Sequence, residues 1–378
     1  MSLTASISPA GMALVGNPVR LSVDTDSPAT YTIRSGDDTL FTGSGEGKFF
    51  VHIQDVLASV VRPAELHNES PDVLLPAPGF SREVSVRVTN TAGDSRDLTL
   101  KVYLGGVSKR MLRHLHEQNK SIFLLKLMNP EANFFLTTRT SGKLITLRET
   151  EIHPLSFIYP DGGVLKVVAG GVTTTLVGVA GQPYALNLYR LRAKLFAENH
   201  VLASVFDIMI GDTKSCTIVL TPGSINRERY LLEFLNSYGA YERIEVTGTG
   251  SIKRESDEDE KPFLSYDEII DDYVESWERT SGRETMTVES GYRTPDELAH
   301  LIDMLSSDDV KILGIAGRNI RVSATAENLV RAARSTAPES IKLTLRFADS
   351  EQRYSASLTE ENFGSPRIHT KHFSQQFN

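Results

Sequence analysis

A few places in this 378-residue chain hold side chains whose types and spacing could do chemistry. Gly43-Ser-Gly-Glu-Gly47 has the composition of a phosphate-cradling loop. Such a loop must lead into a helix N-terminus, where backbone N–H groups meet the anion. Here it leads into Lys48-Phe-Phe-Val-His-Ile53, a strand pattern, so a hairpin turn is the expected reading. His114 and His116, followed by Glu117, could bring two imidazoles together, but zinc wants three or four ligands and no second His/Cys cluster lies nearby. They read as exposed or capping histidines. Cys216 could act as a nucleophile if a base approached it. Its surroundings, Lys-Ser-Cys-Thr-Ile-Val-Leu, read instead as a buried strand in which cysteine is a small hydrophobe. Carboxylates crowd the stretch from Glu255 to Glu278, which invites calcium or glycosidase chemistry. The run lacks an EF-hand ladder and the separated environments that split a pair of acids into two roles, so a solvated loop is expected. Trp277 beside it could stack on a sugar or anchor an interface.

Composition narrows the classes. The net charge of -8 disfavours nucleic acid as a partner of the whole surface, and one cysteine excludes an intramolecular disulfide framework and cysteine-rich metal centres. No run reaches the ~20 apolar residues of a membrane-spanning helix, and the first residues lack a signal-peptide pattern.

The elements that must position these residues are mostly strands. Period-two alternation marks Val19/Leu21/Val23, Tyr31/Ile33, Phe49/Val51/Ile53, Val84/Val86/Val88 and Leu98/Leu100/Val102. Turn residues separate them at Asp26-Ser-Pro28, Ser35 to Asp38, Gly43 to Gly47 and Asn90 to Asp94. This spacing predicts an immunoglobulin-like β-sandwich over 1–103, with an irregular, proline-bearing excursion at 62–80. Lys109 to His116 is a basic linker helix or turn. A second β-rich region spans 104–250, with strands expected at Phe123/Leu125/Leu127, Phe134/Leu136, Leu144 to Leu147, Phe157/Tyr159, Leu165/Val167 and Leu176/Val177. Tyr184 to Phe196 fits either strand or helix. A helix near 226–238 is expected to carry Tyr230, Leu231, Phe234, Leu235 and Tyr238 on one face and to stop at Gly239.

Residues 251–358 change style to an α+β sheet-plus-helix unit, an antiparallel sheet or small barrel with one helix, with the acidic run Glu255 to Glu260 as a loop. Thr294-Pro-Asp-Glu297 opens a helix, with a hydroxyl cap, proline in the first turn and acids at the positive end of the dipole. Leu298, Leu301, Ile302 and Leu305 form its stripe. Strands are expected at 284–289, 310–313, 319–323 and 341–347. Residues 359–378 read as an extended polar arm.

Two segments are more individual: Asn226-Arg-Glu-Arg-Tyr-Leu-Leu-Glu-Phe-Leu-Asn-Ser-Tyr-Gly-Ala-Tyr to Gly248, and Val288-Glu-Ser-Gly-Tyr-Arg-Thr-Pro-Asp-Glu-Leu to Val310 with Leu343 to Asp349 downstream. With the N-terminal β-domain, the pattern resembles structural proteins of tailed phages and prophages, of tail or tail-tip type. That resemblance implies a non-enzymatic, homo-oligomeric subunit of a virion, assembled in the host cytoplasm beside other particle subunits. No catalytic, cofactor-binding or metal-binding residue, no cofactor, no nucleic acid and no membrane insertion is assigned. Tyr230, Phe234, Tyr238, Tyr241 and Trp277 are the candidate interface residues. The competing reading is a carbohydrate- or cell-surface-binding module protein that recognises a host surface glycan.

Overall fold

The computed structural model describes residues 3–139, 142–226, 228–249, 251–256, 263–276, 282–315, 318–326 and 340–348. The described residues are mainly β. The first sheet has six strands. Leu3–Ser8, Arg20–Ser35, Ser81–Asn90, Ser95–Tyr103 and Gly11–Leu14 lie side by side in that order, and Asp38–His52 pairs with Arg20–Ser35. Gly11–Leu14 is parallel to its neighbour and the other pairings are antiparallel. The alternating residues Leu21, Val23, Tyr31, Ile33, Val84, Val86, Val88, Leu100 and Val102 form its core, as period two requires.

Two expected turns are corrected. Asp26 to Pro28 and Gly43 to Gly47 lie inside long paired strands, opposite one another, where the register shifts between Thr25 and Ala29. The tight turn of that hairpin is at Gly36, which has a positive φ. At the bulge, Arg20–Ser35 changes partner from Leu3–Ser8 to Ser81–Asn90. The glycines there make room for rings: a Cβ on Gly43 would meet the Tyr31 ring at 2.3 Å.

The middle region holds a five-stranded sheet ordered Val172–Leu176, Leu165–Ala169, Val205–Ile210, Thr213–Thr221 and Leu144–Arg148, the last pair parallel. A three-stranded sheet joins Leu74–Pro76, Pro183–Leu186 and Leu155–Ile158. The 62–80 excursion therefore returns a strand to the middle region. The stretch from Tyr184 to Phe196 is strand, then helix: Asn187 accepts a hydrogen bond from the Arg190 N–H at 3.1 Å and caps the helix that follows. Phe123–Leu127 is a short π-helix rather than a strand, and Phe134 to Leu136 contributes one β-bridge, Phe135 with Phe157. The four α-helices of the described residues are α1 (Gln54–Ala58), α2 (Lys109–Glu117), α3 (Leu188–Asn199) and α4 (Pro295–Leu305).

The fourth sheet, of seven strands, closes on itself. Tyr241–Thr247, Arg229–Leu235, Val310–Ile315, Arg318–Ala326, Lys342–Phe347 and Gly282–Glu289 follow one another, and Thr247 pairs with Glu289 to complete an antiparallel barrel. Ile252–Ser256 extends it beside Gly282–Glu289. The helix expected near 226–238 is the strand Arg229–Leu235, bonded on both edges. Leu232 and Phe234 point into the barrel, and Gly239 (φ 82°) closes a hairpin turn rather than a helix. Because this strand and Tyr241–Thr247 belong to the barrel, a boundary at 250 would cut its sheet. Helix α4 forms where the sequence predicts, with Thr294 and Glu297 making a reciprocal capping box; its buried face is Leu298, Leu301 and Met304, while Ile302 and Leu305 of the expected stripe are only half-buried.

No helix of the described residues is long and apolar enough to cross a membrane. A fourth core, including Leu14, Phe80, Tyr103, Leu115, Phe123, Leu136 and Ala240, joins residues from all three regions.

Candidate functional site

The densest polar chemistry lies in a buried seam between the middle region and the barrel. Arg139, Glu151, Glu242, Glu245, Arg293 and His300 are each at most 2% exposed. Glu151 sits just after Leu144–Arg148, and its carboxylate accepts from Arg139 Nη1 and Arg293 Nη2, both at 2.8 Å, and from the Glu245 N–H at 2.8 Å. Arg293, at the mouth of α4, also donates to Glu297 at 3.1 Å, to the Ser290 carbonyl at 3.0 Å and to the Glu245 carbonyl. Glu242 accepts from Thr137 Oγ1 at 2.5 Å and from Asn236 Nδ2 at 2.9 Å. Glu245 accepts from Arg148 at 3.0 Å and Thr150 at 2.5 Å, while Arg139 also reaches the Arg243 carbonyl.

Charges this deep are tolerable only when paired and hydrogen-bonded. Burial pushes the Glu151 carboxyl up, but Arg139 and Arg293 outweigh it and hold the group at about 2. Burial pushes Glu242 above its ordinary range, against Arg139. His153 is pushed down to about 3 by burial and then by Arg139, and burial with the same arginines pushes His300 well below its ordinary value. Both histidines are neutral near pH 7. Arg293 keeps its proton because Glu151 and Glu297 offset the effect of burial. The arrangement holds two folding units in one position, with charges already neutralising one another.

A cleft of ≈ 200 Å³ opens beside the seam, lined by residues including Glu65, His67, His153, Glu233, Tyr241 and Lys311. Its charges are largely satisfied within the chain: Arg243 pairs with Glu233 at 2.9 Å, Tyr241 donates to Asp309 at 2.7 Å, and Lys311 lies 3.3 Å from Asp309.

The expected interface aromatics go to different places. Phe234 is a correction: it is fully buried in the barrel beside the His300 ring, because its strand turns that side inward. Tyr230 is half-buried against the same core. Tyr238 packs over Lys126 at 4.2 Å, and Tyr241 lines the cleft, so both face the middle and N-terminal regions of their own chain. Trp277, residues 257–260 of the acidic run and the 359–378 arm lie outside the described residues. Glu255 lies in the strand Ile252–Ser256 rather than in a loop. His114 and His116 are exposed in the last turn of α2. Cys216 is fully buried on its strand, and burial raises its thiol to about 12. Among the described residues, no group of three or more His, Cys, Asp or Glu could hold a metal ion.

The surface offers two other features. The hairpin Phe263–Asp267 with Asp272–Ser276 forms a two-stranded sheet of its own. Tyr266 and Tyr273 pair directly across it with rings 5.4 Å apart. Leu264, Tyr266, Ile269, Ile270 and Tyr273 are all more than half exposed, Ile269 at 93%. On the N-terminal sheet, a groove of ≈ 360 Å³ is lined by residues including Arg20, Asp24, Lys48, Phe49 and Phe50, with Arg20 5.8 Å from the exposed Phe50 ring.

No protein-family model and no curated protein matches the chain. Solved structures that align with it include one concerning host cell surface retention of a 1.5-MDa bacterial ice-binding adhesin, at 10% identity over 73% of this chain and 96% of that chain, TM-score 0.16. Another is the periplasmic chaperone SfaE, at 10% identity over 59% of this chain and 100% of that chain, TM-score 0.18. A third is SGBP-B of the Bacteroides ovatus mixed-linkage glucan utilization locus with a mixed-linkage heptasaccharide, at 11% identity over 75% of this chain and 64% of that chain, TM-score 0.18. Superpositions this loose carry no argument about function.

Proposed function

We propose that the chain is a non-enzymatic structural subunit of a phage-like particle, of tail or tail-tip type, that works as a homo-oligomer beside other particle subunits. One observation carries this reading: its regions are welded together. The 62–80 excursion donates a strand to the middle region, and the buried Arg139–Glu151–Arg293 chain ties the middle region to the barrel. Catalysis does not need three units fixed in this way, whereas a subunit that sets the positions of its neighbours does. In this reading the N-terminal sheet, where Arg20–Ser35 changes partner, is an immunoglobulin-like sandwich.

Immunogold labelling of particles purified from producing cells tests the reading. Label at a fixed point of the tail supports it. A chain that stays in the soluble fraction while purified particles carry no label overturns it.

A second reading, glycan binding, is favoured by the groove at Phe50, where an exposed ring sits beside Arg20. A glycan array that responds to the protein and loses the response in Phe50→Ala would favour it, and a blank array would remove it.

A further inference from the structure

The hairpin Phe263–Ser276 is the least self-sufficient part of the described surface. A lone two-stranded hairpin is marginal in water and needs a third layer to be stable. Its strands pair only with each other among the described residues. Leu264, Tyr266 and Tyr273 share one face by register, and Ile269 and Ile270 form the tip, all exposed. Exposed apolar clusters of this kind mark interaction sites.

The tip has both a shape and a sign. Asp267 accepts from the Ile269 N–H at 2.9 Å, Tyr266 donates to Asp271, and Asp272 accepts from the Tyr273 N–H at 2.7 Å, so the turn is held in one form. Asp267, Glu268, Asp271 and Asp272 surround the two isoleucines, with no Lys or Arg from Phe263 to Ser276. The complementary surface is on the same chain. Helix α2 buries Leu115 and exposes Lys109, Arg110, Met111 and Arg113, with Glu117 as the one exposed acid at its end and the exposed Lys120 and Leu124 just beyond it. It is a basic face with apolar side chains among its charges, matching an acidic tip with isoleucines among its own.

We infer that the hairpin tip of one copy docks on the α2 face of a second copy, a step that rests on the oligomeric subunit proposed above. Tip and helix are different patches, so the contact is head-to-tail. Repetition of such a contact closes into a ring or runs on as a filament.

Sedimentation velocity of the full chain tests this, with a charge swap. One variant carries Glu268→Lys and Asp272→Lys, and the other Arg110→Glu and Arg113→Glu. All four sites are exposed, and circular dichroism checks that each variant folds. The expected result is self-association of the wild type that weakens with added salt. Each variant alone should dissociate about tenfold or more readily. An equimolar mixture of the two should associate again, because the unaltered tip of the second variant meets the unaltered helix of the first, and the new lysines of the first face the new glutamates of the second. Ile269→Asp should weaken association without regard to the swap. Variants that associate like the wild type overturn this docking while leaving the oligomeric subunit intact. A wild-type chain that is monomeric at every concentration overturns both.

Discussion

Arg293 of the barrel donates to Glu151 of the middle region at 2.8 Å, with both side chains at most 1% exposed. The pair joins residues 142 positions apart, and Arg139 approaches the other oxygen of the same carboxylate. Removing one member leaves a buried charge short of its partner. Arg293→Met should therefore destabilise the protein by about 3–5 kcal/mol, measured by urea unfolding. Exposed pairs offer a contrast. Arg87→Ala breaks the surface pair with Asp97, which water screens, and should leave the urea midpoint close to that of the wild type.

The same seam sets a pH dependence. Glu151 is held at about 2 against an ordinary 4.5, so its contribution is fully present above 4.5 and is lost as pH falls through about 2. His153 is held at about 3 against 6.5, so the unfolded chain takes that proton first, and stability falls as pH drops from 6.5 towards 3. His300 acts in the same direction. Glu242, shifted upward, opposes them above its ordinary value. Each histidine can contribute a slope of up to about 1.4 kcal/mol per pH unit. Unfolding free energy measured from pH 7 to 4 should fall, and His153→Gln should flatten that fall.

Gly105 marks the joint between the N-terminal sheet and the barrel. Its φ is +90°, and a Cβ there would lie 2.2 Å from the Tyr238 backbone. The neighbouring Gly106 N–H donates to the Ser237 carbonyl at 2.8 Å, so neither chain segment can move aside freely. Gly105→Ala should cost more than about 2 kcal/mol in thermal or chemical unfolding. Gly93→Ala, at a turn with open space around it, pays only for its positive φ and should cost less.

Cys216 provides a probe of the middle region. Its thiol is enclosed and raised to about 12. A thiol reagent at pH 8 should leave the folded protein unlabelled and label one site after unfolding. Rapid labelling of the native chain would contradict the burial.

Local patterns in the chain carried much of this fold. Alternation at Val84/Val86/Val88 and the Thr294–Glu297 cap each depend on neighbours a few residues apart, and both features form as expected. Arg229–Leu235 misled because Leu231, Phe234 and Leu235 fit a helical stripe as well as Leu232 and Phe234 fit a strand. Pairing with Tyr241–Thr247 and Val310–Ile315 decided it, and that pairing is not local. A small barrel is one of the two arrangements the alternation allows for the last region, but its closure through Thr247 and Glu289 recruits strands from before residue 250, and that pairing is not local either. The seam was hidden because Arg139, Glu151, Glu242 and Arg293 look like ordinary surface charges along the chain. Even Glu245, between Ile244 and Val246, gives little signal, because Glu242, Arg243 and Thr247 beside them make the stretch read as an ordinary half-exposed strand.

The proposed function makes this chain one of several identical subunits. Light scattering of the purified full chain across a range of concentrations, at low salt, tests it most directly. A mass that rises to a multiple of the 41.7 kDa chain as concentration increases is the expected result. A mass that stays at that of one chain over the whole range would contradict it.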